Sequence, residues 1–433
     1  EEAGEIEFMF DFIEEDIPSG RWPDASKVTS IPTDKLDLLS SAMNYRRVFV
    51  TSPGVNNDDL NILRNAFQNA LNNEESTKNV ISQAYRSGYK IIFLQLDIHN
   101  DYRYNPFIKN KNKQLDFDPL NTALYWSNLY DIEIHIWINA YKIWSSTWPP
   151  SSNHIFYKLK EKHKDWFASD INGHSDYNFE FRKTSDNFSG IYLSPLNQEV
   201  NIYIENIVEK LLYDYKGKFH GIHLDYFRYK DSMYGYNYIG RKIFYDIYGI
   251  DPIYLNSSTS SINAELNDSI YFIKNEWVSF KNSHIDSLIK GLNSLIVNYN
   301  EVKSKNIKLS VAVKPDIYEA KIRWNQNWDD WLKNNFIDFA VVMNYYPDTE
   351  SFSNNLWNLY KYFYSSKNIN NIYIGINTIE ESLGNKKLRD INSIREQVQN
   401  AQDFSFPGIA IFSSEYYKFN PTLYLEIFSE KEN

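Results

Sequence analysis

Cysteine is absent from the 433 residues, which excludes disulfides, thiolate metal sites and a cysteine nucleophile. Fourteen prolines and fifteen glycines are too few for a fibrous or low-complexity chain. No apolar run is long enough to cross a bilayer. The opening EEAGEIEFMF has neither the basic start nor the apolar stretch of a secretion signal. A glycine-rich phosphate loop, a GxSxG elbow and an HExxH pair are all missing, so nucleotide, serine-esterase and zinc-protease chemistries lack their motifs. No cofactor is expected. Asp97, His99 and Asp101 have ligand chemistry, but such a cluster arises readily by chance, and no metal is expected either.

Positive charge is also in short supply. Forty-five basic against 56 acidic residues leave a net charge of −11, which opposes binding to nucleic acid, where affinity comes largely from phosphate neutralisation. A neutral or amine-bearing substrate suits this balance, and solubility alone accounts for it as well.

Aromatic residues are plentiful, at 17%, and hydrophobic residues reach 42%. Glu1 to about Asn44 is acidic and without period, and reads as an N-terminal extension packed on a main domain over residues 45–433. From Tyr45 onward, eight short apolar runs alternate with helical stretches. The runs are 46–52, 90–97, 132–140, 219–227, 307–315, 337–346, 371–379 and 408–417. Helical spacing marks 76–88, 199–215, 267–299 and 327–335. Near-continuous apolar strands alternating with amphipathic helices indicate parallel strands covered on both faces, and eight such units indicate a closed (β/α)8 TIM barrel of the α/β class. Long insertions follow the third strand (141–198) and the fourth (226–268), and insertions of that length serve as lids or binding loops.

Polar residues crowd the strand exits, where barrel enzymes build their sites. In GIHLDYFRY (221–229), His223 and Asp225 share one face, and Gly221 leaves space on it. A carboxylate ending an apolar strand is costly unless it is paired or used. Asp225 is therefore either a functional group or a structural partner of Arg228. The third strand puts His135, Trp137 and Asn139 on one face and Ile134, Ile136 and Ile138 on the other. Trp137 would offer a sugar platform and Asn139 a hydroxyl contact. Asn344 and Tyr346 end the sixth strand, Ser413 and Glu415 the eighth, and Asp316 follows the fifth.

These segments resemble a family of bacterial TIM barrels described as family 10 glycosyl-hydrolase-like proteins. Its fourth strand reads roughly DGIHLDYIRYP, here HGIHLDYFRYK, with His220 for the first Asp and Lys230 for the closing Pro. HIWINAYKIWSS, LSPLNQEV and NQNWDDWLKNNFIDFAVVMNYY resemble three further blocks of that family, in the same order, over about residues 45 to 415. The resemblance implies a polysaccharide-directed glycoside hydrolase, exported or at the cell surface, although a cytoplasmic location fits the composition equally. It carries over Asp225, Arg228, Trp137, Asn139 and Asn344 as site residues.

Glycoside cleavage generally needs two carboxyl groups, roughly 5–5.5 Å apart for retention and roughly 6.5–9.5 Å apart for inversion. Asp225 is expected as nucleophile or charge stabiliser, with Glu415 or Asp316 as the acid. The expected substrate contacts are Asp101, His135, Trp137, Asn139, His223, Arg228, Asn344 and Tyr346. The alternative is a barrel that binds carbohydrate without cleaving it. A third reading, hydrolysis of a non-glycosidic bond in a cell-envelope polymer, follows because fold does not dictate function.

Overall fold

A computed structural model describes residues 47–51, 74–86, 88–96, 118–150, 152, 154–181, 189–256, 264–382 and 385–412. The expected N-terminal extension, Asp97, His99, Asp101, Ser413 and Glu415 lie outside the described residues.

Alternation along the third apolar run shows how the sequence builds the barrel wall. Strand β3 (Glu133–Asn139) turns Ile134, Ile136 and Ile138 outward, where each is fully buried against the helical layer. Burying each such side chain stabilises the fold by about 1.5–3 kcal/mol. The same pattern recurs in β2 (Tyr89–Leu96), β6 (Gly221–Asp225), β7 (Lys308–Val313), β8 (Phe339–Met343), β9 (Ile372–Asn377) and β12 (Ile409–Phe412), and β1 spans Arg47–Thr51. These eight strands close in the order β1-β12-β9-β8-β7-β6-β3-β2, so all eight apolar runs become barrel strands.

Two apolar cores result. The larger lies between strands and helices. The smaller fills the barrel itself with Ile91, Phe93, Trp137, Phe339, Val341 and Ala410, and Tyr373 and Phe412 pack onto it. Among the helices, α1 (Glu74–Arg86), α2 (Pro119–Leu129), α4 (Gln198–Asp214), α9 (Thr349–Phe363) and α10 (Ile391–Asp403) stand between successive barrel strands. In α4, Asn197 caps the start by accepting a bond from the Glu199 amide, and Val200, Ile204, Val208, Leu211 and Leu212 form the buried stripe. The helix ends through Lys216 and Gly217, both at positive φ, as a C-terminal glycine predicts.

Strand β1 departs from the expected all-parallel wall. It runs antiparallel to both β12 and β2, whereas the other seven run parallel. An apolar β-branched run specifies a buried strand but not its direction, because both ladders satisfy the backbone.

The two insertions carry local structure. After β3 come β4 (Lys142–Trp144), α3 (Ile155–Lys162) and β5 (Ile191–Tyr192), with β4 and β5 paired antiparallel. After β6 come α5 (Tyr238–Tyr248) and α6 (Ala264–Lys303), a single helix of 40 residues. Two short helices, α7 (Ile317–Arg323) and α8 (Trp328–Lys333), link β7 to β8. The remaining β10 (Ile379–Ser382) and β11 (Asn385–Leu388) form a separate two-stranded sheet. No helix among the described residues is long and apolar enough to cross a membrane.

Candidate active site

Strand register aligns the inward side chains into rows. Trp137 pairs with His223 and Asn139 with Asp225 across β3 and β6, and His223 pairs with Ser310 across β6 and β7. Asp225 and Asn139, the last residues of their strands, therefore lie side by side at the C-terminal mouth.

Around Asp225 the backbone is unusual. Tyr226, immediately after it, has φ 50, the left-handed region that costs a non-glycine residue about 1–2 kcal/mol. That turn lets the Tyr226 amide donate to Asp225 Oδ1 at 2.6 Å. Such outliers cluster at functional sites. Asp225 itself is only 9% exposed.

Cations gather over two rings beside Asp225, those of Tyr226 and Trp324. The Arg228 guanidinium lies 5.3 Å from the Tyr226 ring centre and 4.6 Å from that of Trp324. Lys314 Nζ lies 4.4 Å from the Trp324 ring, and Lys142 Nζ 4.3 Å from the Tyr226 ring. Burial, then the Arg228 charge, pushes Lys314 down to about 8, against a smaller opposite pull from Asp225. The Tyr192 phenol is pushed far up by burial, with Asp225 and Asp176 adding to the effect. Asp176 is a buried carboxyl raised above the usual range by desolvation, although Lys230 sits 2.8 Å away and the Tyr192 amide donates to it.

The structure separates the expected contacts. His223 fills the barrel centre: its Nδ1 is 2.9 Å from Ser310 Oγ and its ring centre 4.2 Å from that of Phe93. Burial, helped by the His135 charge, pushes its pKa down to about 3. His135 lies one row below. Its Nε2 is 3.0 Å from Glu133, which also pairs with Lys308 at 3.1 Å, and both partners open their strands. The expected role of His135 at the mouth is therefore replaced by one at the opposite end of the barrel, because strand position, not face alone, sets depth. The close approach of Gly221 is real: a Cβ there would stand 2.3 Å from His135 Nδ1. Gly221→Ala is expected to cost about 1–3 kcal/mol by overpacking. Chemical denaturation measures it, and a loss near zero would mean that the imidazole simply moves aside.

Trp137 is 2% exposed and packs 6.3 Å from Phe412 within the inner core, so its ring is covered rather than open as a platform. Asn344 turns outward instead of toward the mouth, and its Nδ2 donates to the Phe352 carbonyl in α9 at 3.1 Å. The reason is that β8 ends at Met343 and a tight turn follows, with the Asn344 and Tyr345 amides bonding to Val342 and Met343. Tyr345 instead stacks on Phe412 at 5.3 Å. Tyr346 stands at the rim, 37% exposed, with Glu319 and Asp316 among the charges that raise its phenol after burial.

Asp316 is exposed and caps α7, accepting from the Glu319 amide at 2.7 Å. The expected catalytic role has no geometric support there, because the side chain already completes the helix start. Asp316→Ala should lower stability by about 1 kcal/mol with little change in turnover. A thousandfold fall in kcat would return Asp316 to catalysis. Arg228 forms no ion pair with Asp225; its Nη1 donates to the Tyr229 carbonyl at 3.2 Å. The structural-pair reading of Asp225 therefore fails.

Sequence reasoning missed Tyr192, Trp324, Lys142, Lys314 and Asp176. Lys142 and Trp324 stood in the quoted blocks or beside them, but only folding brings five separate segments to one mouth. No His, Asp or Glu cluster among the described residues is arranged to hold a metal ion.

A family model described as glycosyl hydrolase-like 10 matches residues 111–391. The chain belongs to that family. The glycosyl hydrolase-like barrel also resembles the glycoside hydrolase domain of PgaB (BpsB) from Bordetella bronchiseptica, with a TM-score of 0.55 and 13% identity over 83% of this chain and 94% of that one. The GH42 β-galactosidase Gan42B from G. stearothermophilus gives a TM-score of 0.47 and 10% identity, over 81% of this chain and 49% of that chain. None of the curated proteins compared with the chain matches it. The family and the barrel shared with the PgaB domain mark a carbohydrate-active fold.

Proposed function

We propose that the protein is a glycoside hydrolase that cleaves a polysaccharide or oligosaccharide, with Asp225 as nucleophile or charge stabiliser. The observation that carries this reading is the setting of Asp225: the last residue of a barrel strand, nearly buried, followed by a left-handed tyrosine and ringed by Arg228, Lys314, Tyr192 and Tyr226. The ionised carboxylate is the state that attacks or stabilises an oxocarbenium-like centre. Asn139, next to it in register, is suited to a hydroxyl contact.

The proton donor must have a raised pKa. Among the described acids near the mouth, Asp176 is raised by desolvation, against the opposing pull of Lys230 and the Tyr192 amide, and is one candidate. Glu415, three residues after Phe412 in the sequence, is the other candidate. Incubating the full chain with a panel of neutral, amino-sugar and acidic polysaccharides, and assaying new reducing ends, tests the proposal. Tight binding of one glycan with no bond broken would favour the non-catalytic carbohydrate-binding reading instead.

A further inference from the structure

We propose that Arg228, Lys314 and Trp324 form an anion subsite beside Asp225, which accepts the negatively charged substituent of an acidic sugar. This inference rests on the reading of the mouth as a glycan site and names the class of glycan it takes.

The first support is a charge that lacks its counter-charge. Arg228 is 8% exposed, and its Nε has no hydrogen-bond partner. It donates one hydrogen bond among the described residues, from Nη1 to the Tyr229 carbonyl. A guanidinium carries five N–H donors, and burying a charge without a partner is expensive. Lys314 is half-buried, with its Nζ against the Trp324 ring. Neither residue has a carboxylate within ion-pair distance among the described residues. Burial has already pushed Lys314 down to about 8, and an arriving anion would reverse that shift.

The second support is convergence. The Trp324 ring has three cations near it: Arg228 at 4.6 Å, Arg323 at 4.6 Å and Lys314 at 4.4 Å. Arg323 is committed to Asp231 and Glu319. Arg228 and Lys314 are not, and a ring face draws them together without neutralising either. Lys230, another mouth cation, already has a partner in Asp176, 2.8 Å away. Arg228 and Lys314 together exceed the single charge of Asp225 by one. The chain as a whole carries −11, so this excess is local and opposite in sign to the surface.

The chemistry that fits is a planar or tetrahedral oxyanion: a sugar carboxylate or a sulfate ester. Arg pairs with either through parallel N–H donors. Such an anchor would hold the ring with its anomeric carbon toward Asp225, and its charge would keep like-charged groups from the nucleophile itself.

Binding is measured by calorimetry on the full-length Asp225→Asn protein, so that affinity is read without turnover. The probes are oligogalacturonate, its methyl ester, a sulfated galactan oligosaccharide and the same oligosaccharide desulfated. The expected result is that one or both acidic probes bind about tenfold to a hundredfold tighter than their neutral counterparts, the range for hydrogen bonds to charged groups. The uronate and sulfate arms identify the anion. Adding Lys314→Gln should erase most of that preference, and Arg228→Gln more of it. Because Lys314 is partly exposed, its variant serves if the Arg228 variant fails to fold. Equal binding of acid and ester, a preference that survives both substitutions, or binding of none of the probes would overturn the subsite. Acid-selective binding in a protein that cleaves no glycan would leave the subsite standing and sink the hydrolase reading. Cleavage of neutral glycans without acid preference would do the reverse.

Discussion

Asp225→Asn is expected to lower glycan cleavage at least about a thousandfold while leaving the melting temperature nearly unchanged. The substitution keeps the volume of the side chain and the oxygen that accepts the Tyr226 amide. It removes the charge, which serves no ion pair with Arg228. An amide can neither attack an anomeric carbon nor stabilise a positive one. The stability side matters equally, because neutralising a carboxylate that serves no ion pair with Arg228 strands no partnered cation there. Reducing-end release and thermal denaturation, run on the same preparation, decide it. Activity within tenfold of the parent would remove Asp225 from the mechanism, and a large drop in melting temperature would make it a structural residue.

The second large effect is on acid stability. His223 is neutral in the fold, because burial and then the His135 charge push it from 6.5 to about 3. In the unfolded chain it takes up a proton as the pH falls through 6.5. Folding is therefore favoured above about pH 6.5, and that contribution is lost progressively as pH falls toward about 3. Within that window each pH unit costs about 1.4 kcal/mol, so acidification to about pH 4 removes about 3 kcal/mol through this one ring. His135 and His220, also lowered chiefly by burial, act with the same sign. Glu133 behaves differently. It is held down to about 2, first by its bond to His135, so its contribution is lost only as pH falls from about 4.5 toward 2. His223→Gln should then flatten the dependence of unfolding free energy on pH between about 6.5 and 4.5 by close to one proton. Urea denaturation at several pH values measures that slope. An unchanged slope would mean that the ring is protonated in the folded chain.

Much of the barrel was legible because its signals are local. Alternation in β3 placed Ile134, Ile136 and Ile138 outside and His135 and Trp137 inside, and both apolar cores follow that division. Gly221 could be read as making room, since only hydrogen fits beside the His135 ring. Face alone was not enough to find depth. His135, His223 and Asp225 lie inside the same wall, yet only Asp225 reaches the mouth, because each strand is staggered against its neighbour. Asn344 failed for a different reason: alternation holds only while the strand lasts, and β8 stops one residue earlier.

By itself the sequence determined the eight strands, their inner and outer faces, the family blocks and Asp225 as the last residue of a buried strand, since these depend on neighbours within a few positions. Tertiary structure decided the direction of β1, the burial of Trp137 and the gathering of Lys142, Asp176, Tyr192, Lys314 and Trp324 near Asp225. Those groups come from separate segments, and the charge and desolvation that tune them exist only once the barrel has brought them together.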